Sequence, residues 1–202
     1  MNTKTTATTS NAKIQANKKG KTYDMAYIAV FTVLIAICSW ISIPMAIPVT
    51  LQTFAVFLSV AVLGGKRGTT AVLIYILLGA TGVPVFAGFT GGLGVILNTT
   101  GGYIIGFILT ALIMWMMEST LGRKLWVQAL SMVLGMAACY AAGTAWFMFV
   151  YMRETGSVGL TTVLGWCVIP FIIPDAVKIA LALTLSNTLR RPLAKIMDSP
   201  QG

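Results

Sequence analysis

What most constrains this chain of 202 residues is that its apolar residues come in runs long enough to cross a lipid bilayer. The first, Met25 to Ile43, approaches the roughly 20 residues that a helical span requires. Gly, Pro and charged residues divide the remainder into five further runs near 51–64, 69–82, 101–121, 125–152 and 162–189. The second and third are short for a full crossing, so they are expected to be tilted, short, or lengthened by loop residues. Composition agrees: 57% of residues are hydrophobic and 9% charged, where a soluble domain has about 25% charged residues. The expected fold is an all-α integral membrane protein with six transmembrane helices, forming one membrane domain over 23–195. Residues 1–22 are rich in Thr, Asn and Lys, lack the apolar core of a signal peptide, and predict a disordered cytoplasmic tail. Residues 196–202 predict a short cytoplasmic tail at the other end.

The cations orient the runs. Lys4, Lys13, Lys18, Lys19 and Lys21 precede the first run, Lys66 and Arg67 follow the second, Arg123 and Lys124 follow the fourth, and Arg190, Arg191 and Lys195 follow the sixth. Those four segments alternate onto one side and hold all Lys and Arg except Arg153 and Lys178. Basic loops stay in the cytoplasm, which predicts six spans with both termini cytoplasmic. The formal charge of +9 is thus explained by the bilayer as partner, and no basic stripe interleaved with aromatics calls for nucleic acid.

Several chemistries are excluded. Cys38, Cys139 and Cys167 are scattered through apolar runs without a Cys-x-x-Cys spacing, and there is no His, so neither a disulfide framework nor a metal site is expected. No cofactor is expected either. A P-loop is missing, because Gly20-Lys21-Thr22 lacks the glycine five positions earlier, where Gln15 stands, so the chain cannot hydrolyse ATP by that route. An intramembrane hydrolase would lack a base for its nucleophile.

Two ionisable residues remain inside an apolar run: Asp175 and Lys178, just after Pro170 and Pro174. Each is costly in hydrocarbon unless paired or facing a polar cavity. Their i, i+3 spacing puts them on one helix face within reach of each other. Either the pair neutralises itself and locks the last helix, or Asp175 accepts N–H groups of a ligand while Lys178 donates to a carbonyl or carboxylate. A stand-alone carrier with Asp175 as its proton-bearing group is the alternative functional reading. On the same side, seven glycines between 82 and 102 permit either close ligand approach or tight helix packing. The fifth run carries Tyr140, Gly143, Thr144, Trp146 and Phe147, a stripe suited to packing or to a flat-ring pocket.

Further motifs extend along the chain: Ile43-Pro44, then Ile47-Pro48-Val-Thr-Leu-Gln-Thr53; Leu63-Gly64 with Arg67-Gly68; Gly82-Val-Pro-Val-Phe-Ala-Gly88 with Gly91-Gly92-Leu93; Thr100-Gly101-Gly102-Tyr103 with Gly106; Cys139-Tyr140, Gly143-Thr144 and Trp146-Phe147; and Pro170-Phe171 with Asp175 and Lys178. In order and spacing, from about residue 24 to 195, the chain resembles the BioY family, the biotin-specific S components of energy-coupling factor (ECF) transporters. The resemblance implies a six-helix S-component fold in the bacterial cytoplasmic membrane. It implies capture of biotin, or of a close analogue, from outside, and delivery with a module of one membrane T component and two cytoplasmic ATPases. Family binding positions fall on Asp175, Lys178, Tyr140, Gly91, Gly92 and Gln52, with Asn98, Trp146 and Phe86 as further contacts. Asn98 departs from the family's Gly-Pro-Thr-Gly-Gly-Tyr pattern, and Ile173-Pro174 replaces a common Pro-Gly. The small-residue motif that docks the T component is approximated by Thr32 and Ala36, next to Ala29.

Overall fold

The apolar part of the first helix, Gly20–Trp40, is the beginning of a bundle in which, among the described residues, four helical stretches are long and apolar enough to cross a membrane. The others are Gly101–Leu121, Leu125–Arg153 and Leu160–Arg190. The structure, a computed structural model, describes the backbone of residues 3–44, 47–156 and 158–198, and the side chains within those ranges from 20 to 190 except 154 and 155.

Helix α1 (Thr3–Trp40) begins well before its apolar segment. Its backbone is helical over 3–22, where the sequence predicts a disordered tail. A nucleated helix propagates at small cost per residue until something breaks it, and no Pro occurs in that stretch. At the far end α1 stops at Trp40, short of the predicted Ile43. The next residues form a small hairpin: β1 (Ser42–Ile43) pairs antiparallel with β2 (Val49–Thr50), with Ser42 opposite Thr50. Pro44 and Pro48 exclude helix here, and β-branched Ile43, Val49 and Thr50 favour the extended backbone.

Helix α2 (Gln52–Leu63) is buried at every residue except Phe54, as expected of a helix apolar on all sides. At 12 residues it is about 18 Å long by the helical rise. Gly64, at φ 88°, turns the chain directly into α3 (Gly65–Ala80). Gly68 of α3 lies against the α2 backbone: an added Cβ would sit 2.4 Å from Val60 Cα. A short helix α4 (Leu93–Leu97) lies in the Gly-rich connection, before α5 (Gly101–Leu121) and α6 (Leu125–Thr155) pack as a hairpin. Thr110 Oγ donates across that hairpin to the Gly135 carbonyl at 2.9 Å. The sixth predicted run is broken at Val168 (φ −126°, ψ −54°) into α7 (Leu160–Cys167) and α8 (Ile169–Asp198). Pro170, in the first turn of α8, is where a missing N–H is tolerated.

One end of the bundle gathers charge. Arg67 pairs with Asp24 at 2.9 Å, and Arg123 with Glu118 at 2.5 Å. Glu118 also accepts the Gly65 N–H at 2.8 Å, placing a carboxylate at the positive end of α3. Arg190 donates to the Arg123 carbonyl at 3.3 Å. Exposed Val33, Ile37, Leu77, Met116, Val133 and Val177 give the helices an apolar outside.

The close crossing at Gly68 generates a prediction. Gly68→Ala is expected to force α2 and α3 apart and to destabilise the protein by about 1–3 kcal/mol, the usual cost of overpacking. The check is a lowered melting temperature of the detergent-purified protein.

Candidate functional site

At the end of the bundle away from the charge cluster, a cavity of about 140 Å³ opens among the β1–β2 hairpin, the connection after α3, and helices α2, α5, α6, α7 and α8. Its floor is ionic. Asp175 and Lys178 project from one face of α8, each 4% exposed, with Nζ 2.7 Å from Oδ1. The Tyr140 hydroxyl of α6 donates to the other carboxylate oxygen, Oδ2. Both charges are thus compensated, which buried ions require. Each carboxylate oxygen nevertheless retains acceptor capacity, and the ammonium has two further N–H groups. The pair therefore locks helices and also faces a cavity; the two sequence readings are not exclusive.

The remaining walls combine aromatic rings with hydroxyls. Phe86, Tyr103, Phe107 and Phe171 supply rings, and Thr50, Thr53, Thr90 and Thr100 supply hydroxyls. Gln52, 5% exposed, enters from the first turn of α2 and donates Nε2 to the Tyr75 hydroxyl at 2.9 Å. Phe86 is held in the connection after α3 by a bridge to Thr90. That connection is fastened to α1: Trp40 Nε1 donates to the Pro84 carbonyl at 3.0 Å, and the Trp40 and Phe89 rings stack at 4.9 Å. Phe89, at φ 58°, is the only non-glycine residue with positive φ among the described residues.

Of the residues expected from sequence, Asp175, Lys178, Tyr140, Gln52 and Phe86 come together around the cavity, whereas Gly91, Gly92, Asn98 and Trp146 are not among its lining residues. Gly91 is required by packing, since an added Cβ would lie 2.4 Å from the Val83 carbonyl oxygen. Gly92, at φ 100°, donates its N–H to the Gly79 carbonyl at 2.7 Å and so pins the connection to α3. Asn98 and Trp146 bind each other at the rim, with indole Nε1 2.9 Å from the Asn98 carbonyl.

The proposed docking stripe also needs correction. Thr32 and Ala36 are buried at 4% and 5% exposure, and Thr32 Oγ donates to the Ala71 carbonyl of α3 at 3.2 Å. Their small size serves the α1–α3 crossing, leaving only Ala29 of the three at the surface. Thr50, Thr53, Tyr103, Cys139 and Cys167 line the cavity without having been singled out as binding residues. The threonines were detectable as hydroxyls flanking Gln52 in an otherwise apolar segment. The cysteines carried no signal beyond apolar packing.

Comparison with known proteins agrees with this architecture. The BioY family model matches residues 6–195. The chain is similar to the biotin transporter BioY of Thermotoga maritima, at 41% identity over 80% of this chain and 92% of that one. It is also similar to a probable biotin transporter BioY of Pyrococcus horikoshii, at 38% identity over 84% of this chain and 98% of the relative. Among solved structures, the S component for biotin from an ECF-type ABC transporter superposes with a TM-score of 0.76 at 26% identity, covering 85% of this chain and 92% of that one. The match of the model over nearly the whole chain, with relatives of equal extent, establishes that the chain belongs to the BioY family.

Proposed function

We propose that this chain is the biotin-capturing S component of an ECF-type transporter in the cytoplasmic membrane. The observation that carries the reading is the buried Asp175–Lys178–Tyr140 constellation, facing a cavity with aromatic walls at the end opposite the cations. Biotin has a ureido group with two N–H donors around one carbonyl, a thiophane ring, and a valerate tail ending in a carboxylate. Asp175 accepts a ureido N–H on its free lone pairs. Lys178 pairs with Asp175 and donates to the ureido carbonyl or to the carboxylate. The aromatic walls cover the ring.

In this reading α1, α2, α3, α5, α6 and α8 are six spans with both termini in the cytoplasm. The positive-inside rule supports it, because Arg67, Arg123 and Arg190 gather at the end away from the cavity, with Lys66 and Lys124 next to them in the chain. The cavity then opens outward. ATP hydrolysis belongs to a partner module of one T component and two ATPases, since the sequence contains no P-loop. That module would meet the lipid-facing side of α1 around Ala29 rather than Thr32 and Ala36.

Titration calorimetry of the detergent-purified protein is expected to show one-to-one biotin binding, and none of thiamine or riboflavin. Equal binding of all three, or of none, would sink the proposal. Asp175→Asn and Lys178→Ala should each weaken biotin binding at least tenfold, about 1.4 kcal/mol, because each leaves a buried charge without its partner. Biotin is also expected to slow maleimide labelling of Cys139 and Cys167, which line the cavity, while labelling of Cys38, which does not, stays unchanged.

A further inference from the structure

Behind Gln52 lies a chain of hydrogen bonds whose direction can be worked out. Tyr75 and Ser39 are both fully buried, at 0% exposure, and neither lines the cavity. The Tyr75 hydroxyl is 3.1 Å from the Val85 carbonyl oxygen, and Ser39 Oγ is 2.5 Å from the same oxygen. Ser39 Oγ also lies 2.7 Å from the Ala36 carbonyl, so its single proton is shared between two acceptors, whereas the phenol has Val85 as its carbonyl partner. A carbonyl only accepts, so the contact between Tyr75 and Val85 uses the proton of the phenol. Tyr75 has one proton, and it is committed to Val85. Towards Gln52 the phenol oxygen can therefore only accept, and the amide must present its NH2 group there, at 2.9 Å. The amide oxygen is left for the cavity.

We infer that Tyr75 is a positioning residue that sets the polarity of Gln52, so that the site offers an acceptor there and selects a ligand N–H over an oxygen at the same place. The phenol is well held for this task. Its ring meets Phe86 edge-on, with centroids 5.6 Å apart and planes at 79°, and Phe86 itself lines the cavity. Val85 and Phe86 belong to the connection that Ser39 and Trp40 fasten to α1, so the orientation of Gln52 is referred to three separate elements. The inference rests on the biotin reading of the cavity. Biotin's only N–H donors are the two of its ureido group, so a hydrogen bond to the Gln52 oxygen comes from one of them. A site built to accept an N–H rejects the analogue that lacks it, because a lone pair then meets a lone pair.

The test compares biotin with its two cyclic carbamate analogues, each with one ureido N–H replaced by a ring oxygen, on the purified full-length protein. Wild type should discriminate against both. In Tyr75→Phe the Gln52 amide is released and can turn to donate to the ring oxygen. Discrimination against one isomer should then fall at least fivefold, while that against the other stays within twofold. Gln52→Leu, which leaves Tyr75 in place, should relax the same isomer and spare the other. A Tyr75 variant that weakens all three ligands by one common factor would mark a merely structural residue and overturn the inference. So would a Gln52→Leu protein with wild-type discrimination, an outcome readable even if Tyr75→Phe does not fold. A wild type that binds no biotin removes the biotin reading itself, and the inference with it; a wild type that binds biotin without discriminating against either analogue, or whose variants give either adverse pattern, removes the inference alone.

Discussion

Hydrocarbon supplies no hydrogen-bond partner, so inside the bundle polar groups must find one another. The structure is organised by that constraint at every level. Backbone amides close into helices, and buried hydroxyls return to carbonyls, as Thr110 does to Gly135 and Thr32 to Ala71. Inside an apolar run the Asp175 carboxylate has two partners, the Lys178 ammonium within α8 and the Tyr140 hydroxyl from α6. Around Asp175, Lys178 and Gln52 hydrogen-bonding capacity is left over, and these residues line the cavity.

The two ends of the bundle use charge in opposite ways. At one end Asp24, Arg67, Glu118, Arg123 and Arg190 join α1, α3, α5 and α8 through partly exposed contacts, the kind that contribute little to stability in water. At the other end a single desolvated pair sits among aromatic rings, where low dielectric makes each interaction stronger and each loss more costly. The Gly-rich connection between α3 and α5 closes the latter end. Its glycines serve backbone geometry: Gly91 allows the chain to pass Val83, and Gly92 allows the turn that bonds Gly79.

Much of this was legible in the sequence because membrane chemistry is severe. An Asp and a Lys three residues apart in an apolar run have few innocent explanations, and both line the cavity. Gln52 and Tyr140 followed from family motifs. Asn98 and Trp146 are not among the lining residues, because a motif gives order along the chain and not direction in space: the Trp146 indole donates to the Asn98 main-chain carbonyl. Thr32 and Ala36 were misread for a related reason. Small residues on a helix mark a close crossing without saying whether the neighbour is another helix of the same chain or a partner.

The sequence by itself determined the class of fold, the extents of α5 and α6, the grouping of the cations between the apolar runs and the presence of an Asp–Lys pair inside one of them, because each follows from local hydropathy or local spacing. Only the tertiary structure decided which face of α1 is buried, that the sixth run breaks at Val168, that a hairpin flanks the cavity, and that Tyr75, Ser39 and Val85 stand behind Gln52. Those outcomes depend on contacts between residues dozens of positions apart, such as Ser39 with Val85. No periodicity along the chain encodes the direction of a hydrogen bond between two helices and a loop.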